Sequence, residues 1–222
     1  MSETSLPPVT ATITMCRRTG LMCKMMDSLL EKVLDRQHVV RWIAIDDGSA
    51  SGDLYAISDR YPFLEITCND MKGHPAALNQ LFGMVETDYI LHLEDDWVFE
   101  TPGKILESCW SIMQHDPRIG VVSLRGFRYG NIQAAEGVTY GLHAYGAGSP
   151  WPGYSLNPGL QDIRKVRDTG PFFDEQAFEY KFARRFRAKG YQLAHLNPPA
   201  GRRWITHRGE NQSAYVANNT SR

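Results

Sequence analysis

The sequence predicts an α/β fold with a mostly parallel central sheet flanked by helices. Strand-like and helix-like stretches take turns from residue 9 to about 124, the helix-like ones carry an amphipathic period, and three of the strand-like ones break off in polar clusters.

The first strand is predicted at VTATITMC (9–16), followed by an amphipathic helix over 20–36 and a second strand at RWIAI (41–45) that runs straight into DDGSASGD. A third strand is expected at FLEITC (63–68). The next helix opens at Gly73-His74-Pro75, where proline suits the first helical turn, and leads to the strand DYILHL (88–93). A helix near 102–115 and a strand at IGVVSL (119–124) complete the alternation. From about 126 to 160 glycine, tyrosine and proline crowd an irregular stretch, which reads as loops with short strands covering a site. A helix over 174–189, a short strand YQLAHL and a polar tail ending in NNTSR follow.

Whole-chain quantities bound the function. The chain has 222 residues and a formal net charge of −1, enough length for a full core and too little charge to favour a nucleic-acid partner. No uninterrupted apolar stretch approaches the roughly 20 residues of a membrane span. The start, MSETSLPPV, lacks a basic segment followed by an apolar one, so no signal peptide is expected. Cys16, Cys23, Cys68 and Cys109 form no CxxC pair, so neither a zinc site nor disulfides are implied, and a reducing, cytoplasmic setting is expected. Neither GxxxxGK[ST] nor GxGxxG occurs, which leaves ATPase and NAD chemistry without support.

The chemistry concentrates where strands end. Ligands of such sheets sit outside the carboxyl ends of the strands, and Cys16-Arg17-Arg18-Thr19-Gly20, Asp46-Asp47-Gly48-Ser49 and Glu94-Asp95-Asp96 are expected to converge there. Three adjacent acids repel one another, so either they are solvated or something positive belongs beside them. If the strand stays extended through residue 96, Glu94 and Asp96 point one way and Asp95 the other. Two carboxylates at that spacing can share Mg²⁺ or Mn²⁺, whose coordination a diphosphate would complete. Asp46 and Asp47 could meet a ribose or a base, or close an Asx-type turn. Lys72 and Gly73 bring a cation to a helix start whose N–H groups favour anions, unless the helix is simply capped.

Taken in order, IAIDDGS, KGHPAALNQ and YILHLEDDW resemble the nucleotide-binding half of GT-A glycosyltransferases, closest to the large inverting family 2 group. SLNPGLQDIRKVRDTGPFFDE and FEYKFARRFRAKGY resemble its acceptor half. The resemblance covers most of residues 9–195, and reaches as far as the amino-terminal domains of multidomain viral enzymes. It implies one GT-A domain over 1–222, with a Rossmann-like nucleotide-sugar half over about 9–100 and an acceptor half over about 101–210, in a chain that could continue into further domains.

By that resemblance Thr14 and Cys16-Arg17-Arg18 border the base, Asp46 and Asp47 contact base or ribose, and Lys72 lies near ribose or phosphate. Glu94-Asp95-Asp96 matches the DxD-type motif, with Asp96 on the metal and Glu94 and Asp95 toward the ribose. Glu179 inherits the catalytic base. Its usual acidic neighbour is replaced by Phe178, which leaves Glu175 and Asp174 as substitutes. An exposed carboxylate of ordinary pKa is expected to suffice for that role. His207 is either a further metal or diphosphate ligand or a structural histidine. Trp151, Tyr154 and Trp97 could stack on sugar rings or pack internally, and Arg202 and Arg203 could reach the diphosphate or sit in solvent.

The function so implied is metal-dependent transfer of a sugar from a UDP-sugar to a glycan or glycoprotein hydroxyl, with inversion and with Mn²⁺ or Mg²⁺ as cofactor. Two other classes remain open. A sugar-nucleotide nucleotidyltransferase would want a glycine-rich loop and lysine after the first strand, where this chain has CRRTG. A noncatalytic sugar or nucleotide-sugar binding module would tolerate Glu179→Gln.

Overall fold

A computed structural model describes residues 5–126, 130–146 and 149–209, and the side chains of residues 130 and 131 are not described. The tail ending in NNTSR and parts of the aromatic segment lie outside the described residues.

The first strand, β1 (Val9–Met15), is buried along its whole length because it pairs in parallel on both sides, with β2 (Val39–Asp47) and with β4 (Tyr89–Glu94). Next to β2 lies β3 (Leu64–Asn69), also parallel. The chain therefore steps outward from β1 to β2 to β3 and then returns to β4 on the other side of β1. That reversal makes a crevice at the carboxyl ends of β1 and β4, where ligands of open α/β sheets bind. Register pairs Met15 with Asp46 and Thr14 with Glu94, so the three polar clusters do converge on one edge.

The full sheet has the order β3-β2-β1-β4-β9-β6-β10-β8-β7. Its second half contains β6 (Ile119–Ser123), the hairpin β7 (Gly130–Ala135) and β8 (Val138–His143), β9 (Gly159–Asp162) and β10 (Gln192–Leu196). Strands β8 and β9 run against the others, so the sheet is mixed although mostly parallel. A separate two-stranded sheet pairs β5 (Trp97–Phe99) with β11 (Ile205–His207).

Helices cover both faces. On one face α1 (Thr19–Lys32), α2 (Ser51–Arg60) and α4 (Ile105–His115) bury Met22, Met25, Met26, Leu29, Ile57 and Ile112 against Ile13 and Leu91. The other face carries α3 (His74–Gly83), α5 (Ile163–Thr169) and α6 (Phe178–Ala188), which bury Leu78, Leu81, Ile163, Phe182 and Phe186 with Tyr154. Among the described residues no helix is long and apolar enough to cross a membrane.

Besides β5, the elements α2, α5 and β11 go beyond the sequence expectations. Helix α2 buries only Ile57, so its apolar period is faint. Helix α5 has seven residues and β11 three, too short for periodicity to register. The last helix begins at Phe178 rather than 174, because Ala177 adopts the left-handed conformation at φ 56° and breaks the helical path.

Candidate active site

Strand β4 ends at Glu94 and the chain turns at Asp95 and Asp96, so the expected alternation of the three acids does not hold. Asp95 and Asp96 instead face one group, the guanidinium of Arg18. Arg18 Nε donates to Asp95 Oδ2 at 3.1 Å, its Nη2 to Asp95 Oδ1, and its Nη1 to Asp96 Oδ2 at 2.8 Å. The positive partner of the acidic cluster is therefore Arg18, in the loop after β1. Asp95 is fully buried and also accepts from the Cys16 amide at 3.4 Å.

Asp96 is 8% exposed. Its Oδ2 lies 3.2 Å from His207 Nε2, while its Oδ1 is buried without a hydrogen-bond partner among the described residues. His207 arrives there because β11 pairs with β5, with His207 opposite Trp97 and the Arg208 amide donating to the Asp96 carbonyl at 2.7 Å. Gly209 permits the close approach: a Cβ there would stand 2.7 Å from the Asp96 Cβ. Glu94 accepts from the Trp97 indole N–H at 3.2 Å. Burial, with Asp96 and Glu179 adding repulsion, pushes Glu94 up to about 8, and burial pushes Asp95 up to about 6 against the opposing pull of Arg18.

The neighbouring turns are tied together by their own carboxylates. Asp46 accepts from the amides of Gly48 at 3.1 Å and Ser49 at 2.8 Å and from the Ser49 hydroxyl, which is the Asx-type closure, with Gly48 at φ 104°. Asp47 accepts from the amides of Lys72 at 2.8 Å and Gly73 at 2.9 Å, just ahead of α3, and so ties the end of β2 to the helix start. The Lys72 side chain is exposed. Arg17 braces the same edge, its amide donating to Ser49 Oγ at 2.8 Å and its Nε to the Gly48 carbonyl at 3.0 Å. Thr14 is buried at the end of β1, beside Glu94.

Sequence reasoning treated His74 only as part of a helix start. Its ring packs edge-on to Phe178 at 5.4 Å, and its Nε2 is buried without a partner among the described residues. Burial and the nearby Arg18 charge lower His74 to about 4, so it is neutral at physiological pH. A histidine beside the glycine of a helix start has no periodic signal, and only the packing of α6 onto α3 reveals its place.

Glu179 lies in the first turn of α6, half-buried, with Oε1 accepting from the Leu156 amide at 3.0 Å. Burial raises its pKa, while the Leu156 hydrogen bond and the Arg125 charge oppose the rise, so it is not the exposed carboxylate of ordinary pKa that was expected. The Glu179 charge adds to the repulsion on Glu94, so Glu179 lies within electrostatic reach of the acidic cluster. Phe178, at the position of the missing acid, packs against His74 and Phe172. Asp174 is exposed, and Glu175 is ion-paired with Lys181 at 2.6 Å, both ahead of the helix.

Of the aromatic candidates, Tyr154 is fully buried with its hydroxyl donating to Gln161 at 2.9 Å, and Trp97 is 5% exposed with its N–H held by Glu94. Both are packing residues, because neither has a free ring face. Trp151 is half-buried, its indole N–H donating to the Tyr154 carbonyl and its ring edge-on to Tyr180 at 5.8 Å. Arg202 and Arg203 are exposed.

Among the described residues no three His, Cys, Asp or Glu side chains form a ready-made cage for a metal ion. The residues present fit a half-site, in which Asp96, whose buried Oδ1 has no partner among the described residues, and His207 would supply two ligands and a diphosphate would supply others.

No protein-family model matches the sequence, and no curated protein matches it either. Solved structures do. A mannosyltransferase from Pyrobaculum calidifontis in complex with GDP-Man and Mn²⁺ superposes with a TM-score of 0.65 at 17% identity, over 96% of this chain and 60% of that one. TarS 1-349 of S. aureus gives 0.66 at 10% identity over 89% and 59%, and GalNAc-T7 with UDP, GalNAc and Mn²⁺ gives 0.66 at 10% over 87% and 43%. The chain thus spans at most 60% of the length of each of these three. At such identities the likeness speaks to architecture, and with the strand order and the crevice at β1 and β4 it shows that the chain has the GT-A fold.

Proposed function

We propose that the protein is a metal-dependent glycosyltransferase that moves a sugar from a UDP-sugar to a hydroxyl of a glycan or glycoprotein, with inversion at the anomeric carbon. The observation that carries this is the meeting of two carboxylate groups of different character at the crevice: the Asp96–His207 pair on the nucleotide-binding side and Glu179 from α6 on the other. Structures of like architecture hold Mn²⁺ with GDP-Man or UDP, which supports a dication and a sugar nucleotide here.

Asp96 and His207 would hold the dication, which when bound supplies charge stabilisation for the departing diphosphate. The protein's own groups do the rest. Glu179 Oε1 is fixed by the Leu156 amide, which leaves Oε2 to take the proton of the acceptor hydroxyl. As that proton moves, the acceptor oxygen bonds to the anomeric carbon and the bond from that carbon to the diphosphate oxygen breaks, its electron pair leaving with the nucleoside diphosphate. A partly buried base with a raised pKa accepts the proton more readily than a solvated carboxylate, provided it starts ionised, and Arg125 favours that form. Arg17, Asp46 and Asp47 set the turns on which base and ribose would rest, with Lys72, Thr14, Glu94 and Asp95 around them.

Calorimetric titration with a panel of UDP- and GDP-sugars, with and without Mn²⁺, tests this reading. One uridine-linked sugar is expected to bind, and Mn²⁺ to strengthen it. Failure of every nucleotide sugar to bind would remove the proposal, and metal-independent binding would remove the dication from it.

A further inference from the structure

Arg18 stands where the proposed reaction needs a dication. Its fork is divided unequally: Nε and Nη2 hold Asp95, whereas Nη1 alone holds Asp96, at 2.8 Å. Asp95 is fully buried, a fixed anchor. Asp96 is the more accessible carboxylate, with its side chain 11% exposed, and it keeps Oδ1 buried and without a partner among the described residues. The guanidinium is rigid and stays gripped by Asp95, so it is the Asp96 carboxylate that can turn away from Nη1.

Resting on the glycosyltransferase reading above, we propose that Arg18 is a resident counter-ion that competes with the dication for Asp96, so that metal and nucleoside diphosphate enter together rather than metal first. With both carboxylates ionised, the two acids and Arg18 sum to −1. A dication arriving alone would carry that local charge to +1 and set two cationic groups against one carboxylate in a partly buried place. A diphosphate brings at least two negative charges, cancels the excess and offers Nη1 a phosphate oxygen in exchange for Asp96, a charge-assisted bond of the kind guanidinium makes well.

The test follows free Mn²⁺ by electron paramagnetic resonance as protein is added, alone and with UDP or GDP. For the unaltered protein, Mn²⁺ alone is expected to bind at least about tenfold more weakly than Mn²⁺ with nucleotide, a ratio in the range that one close charge pair commands. Arg18→Gln combined with Asp95→Asn removes a cation and its buried anion together, so the local charge stays at −1, Asp96 keeps His207 beside it, and only the competition for Asp96 is lost. In that variant the affinity for Mn²⁺ alone should rise about tenfold and the nucleotide effect should shrink. Asp95→Asn by itself leaves Arg18 wholly to Asp96 and should weaken the binding of Mn²⁺ alone. Equal affinity for Mn²⁺ alone in the folded double variant and the unaltered protein would overturn the proposal, as would tighter binding in Asp95→Asn. If nucleotide strengthens Mn²⁺ binding equally in all three proteins, only this inference fails. If none binds Mn²⁺ under any condition, the glycosyltransferase reading fails with it.

Discussion

Glu94 accepts its hydrogen bond from Trp97 while Asp96 and Glu179 crowd it, and burial holds its proton on to about pH 8. In the unfolded chain the same group titrates near 4.5. Between those values the folded protein binds the extra proton, so this contribution to stability is complete below about 4.5, falls as pH rises, and is gone above about 8. Glu94→Gln should therefore match the unaltered protein in Tm at pH 4 and exceed it by about 3 °C or more at pH 9, read by calorimetric melting. Glu179 makes a different demand, since it must be ionised to act. Glu179→Gln should lower turnover by about 10²- to 10⁴-fold while leaving donor affinity within about twofold, measured by product release and by calorimetry. The acids themselves were legible, because a strand that ends in Glu94-Asp95-Asp96 poses a charge problem on its face. Their cation was not, since Arg18 lies 77 residues from Asp95 in sequence and nothing local distinguishes it from Arg17.

Strand β9 is the element that joins the two halves, inserted antiparallel between β4 and β6. Gly159 makes the insertion possible, because a Cβ there would run into the Val122 carbonyl oxygen and stand 3.0 Å from the Ser123 Cα. Gly159→Ala should cost about 2–4 kcal/mol in a denaturant titration, as backbone atoms cannot give way like the end of a side chain. The alternation of strands and helices through residue 123 was readable since each buried strand must be apolar and each flanking helix amphipathic. Helix α2, exposed on most of its surface, and β11, three residues stabilised by pairing with β5, carry no such pattern. The sequence offered His207 as a further ligand beside Asp96, but the pairing of β11 with β5 that brings the two together was not readable.

For the molecule as a whole, the GT-A architecture follows from the strand order, and the structures it resembles extend well beyond the length it matches. The metal site proposed rests on one arrangement: an arginine-bridged carboxylate pair whose outer member, Asp96, still has a buried oxygen to give. Crystals grown with MnCl₂ and UDP and measured at the manganese absorption edge examine it directly. The account predicts one anomalous peak within bonding distance of Asp96 and His207, with diphosphate oxygens completing the shell and the Asp96 carboxylate turned away from Arg18 Nη1. Nucleotide bound in the crevice with no anomalous density beside Asp96, or a manganese peak held by other residues, would contradict it.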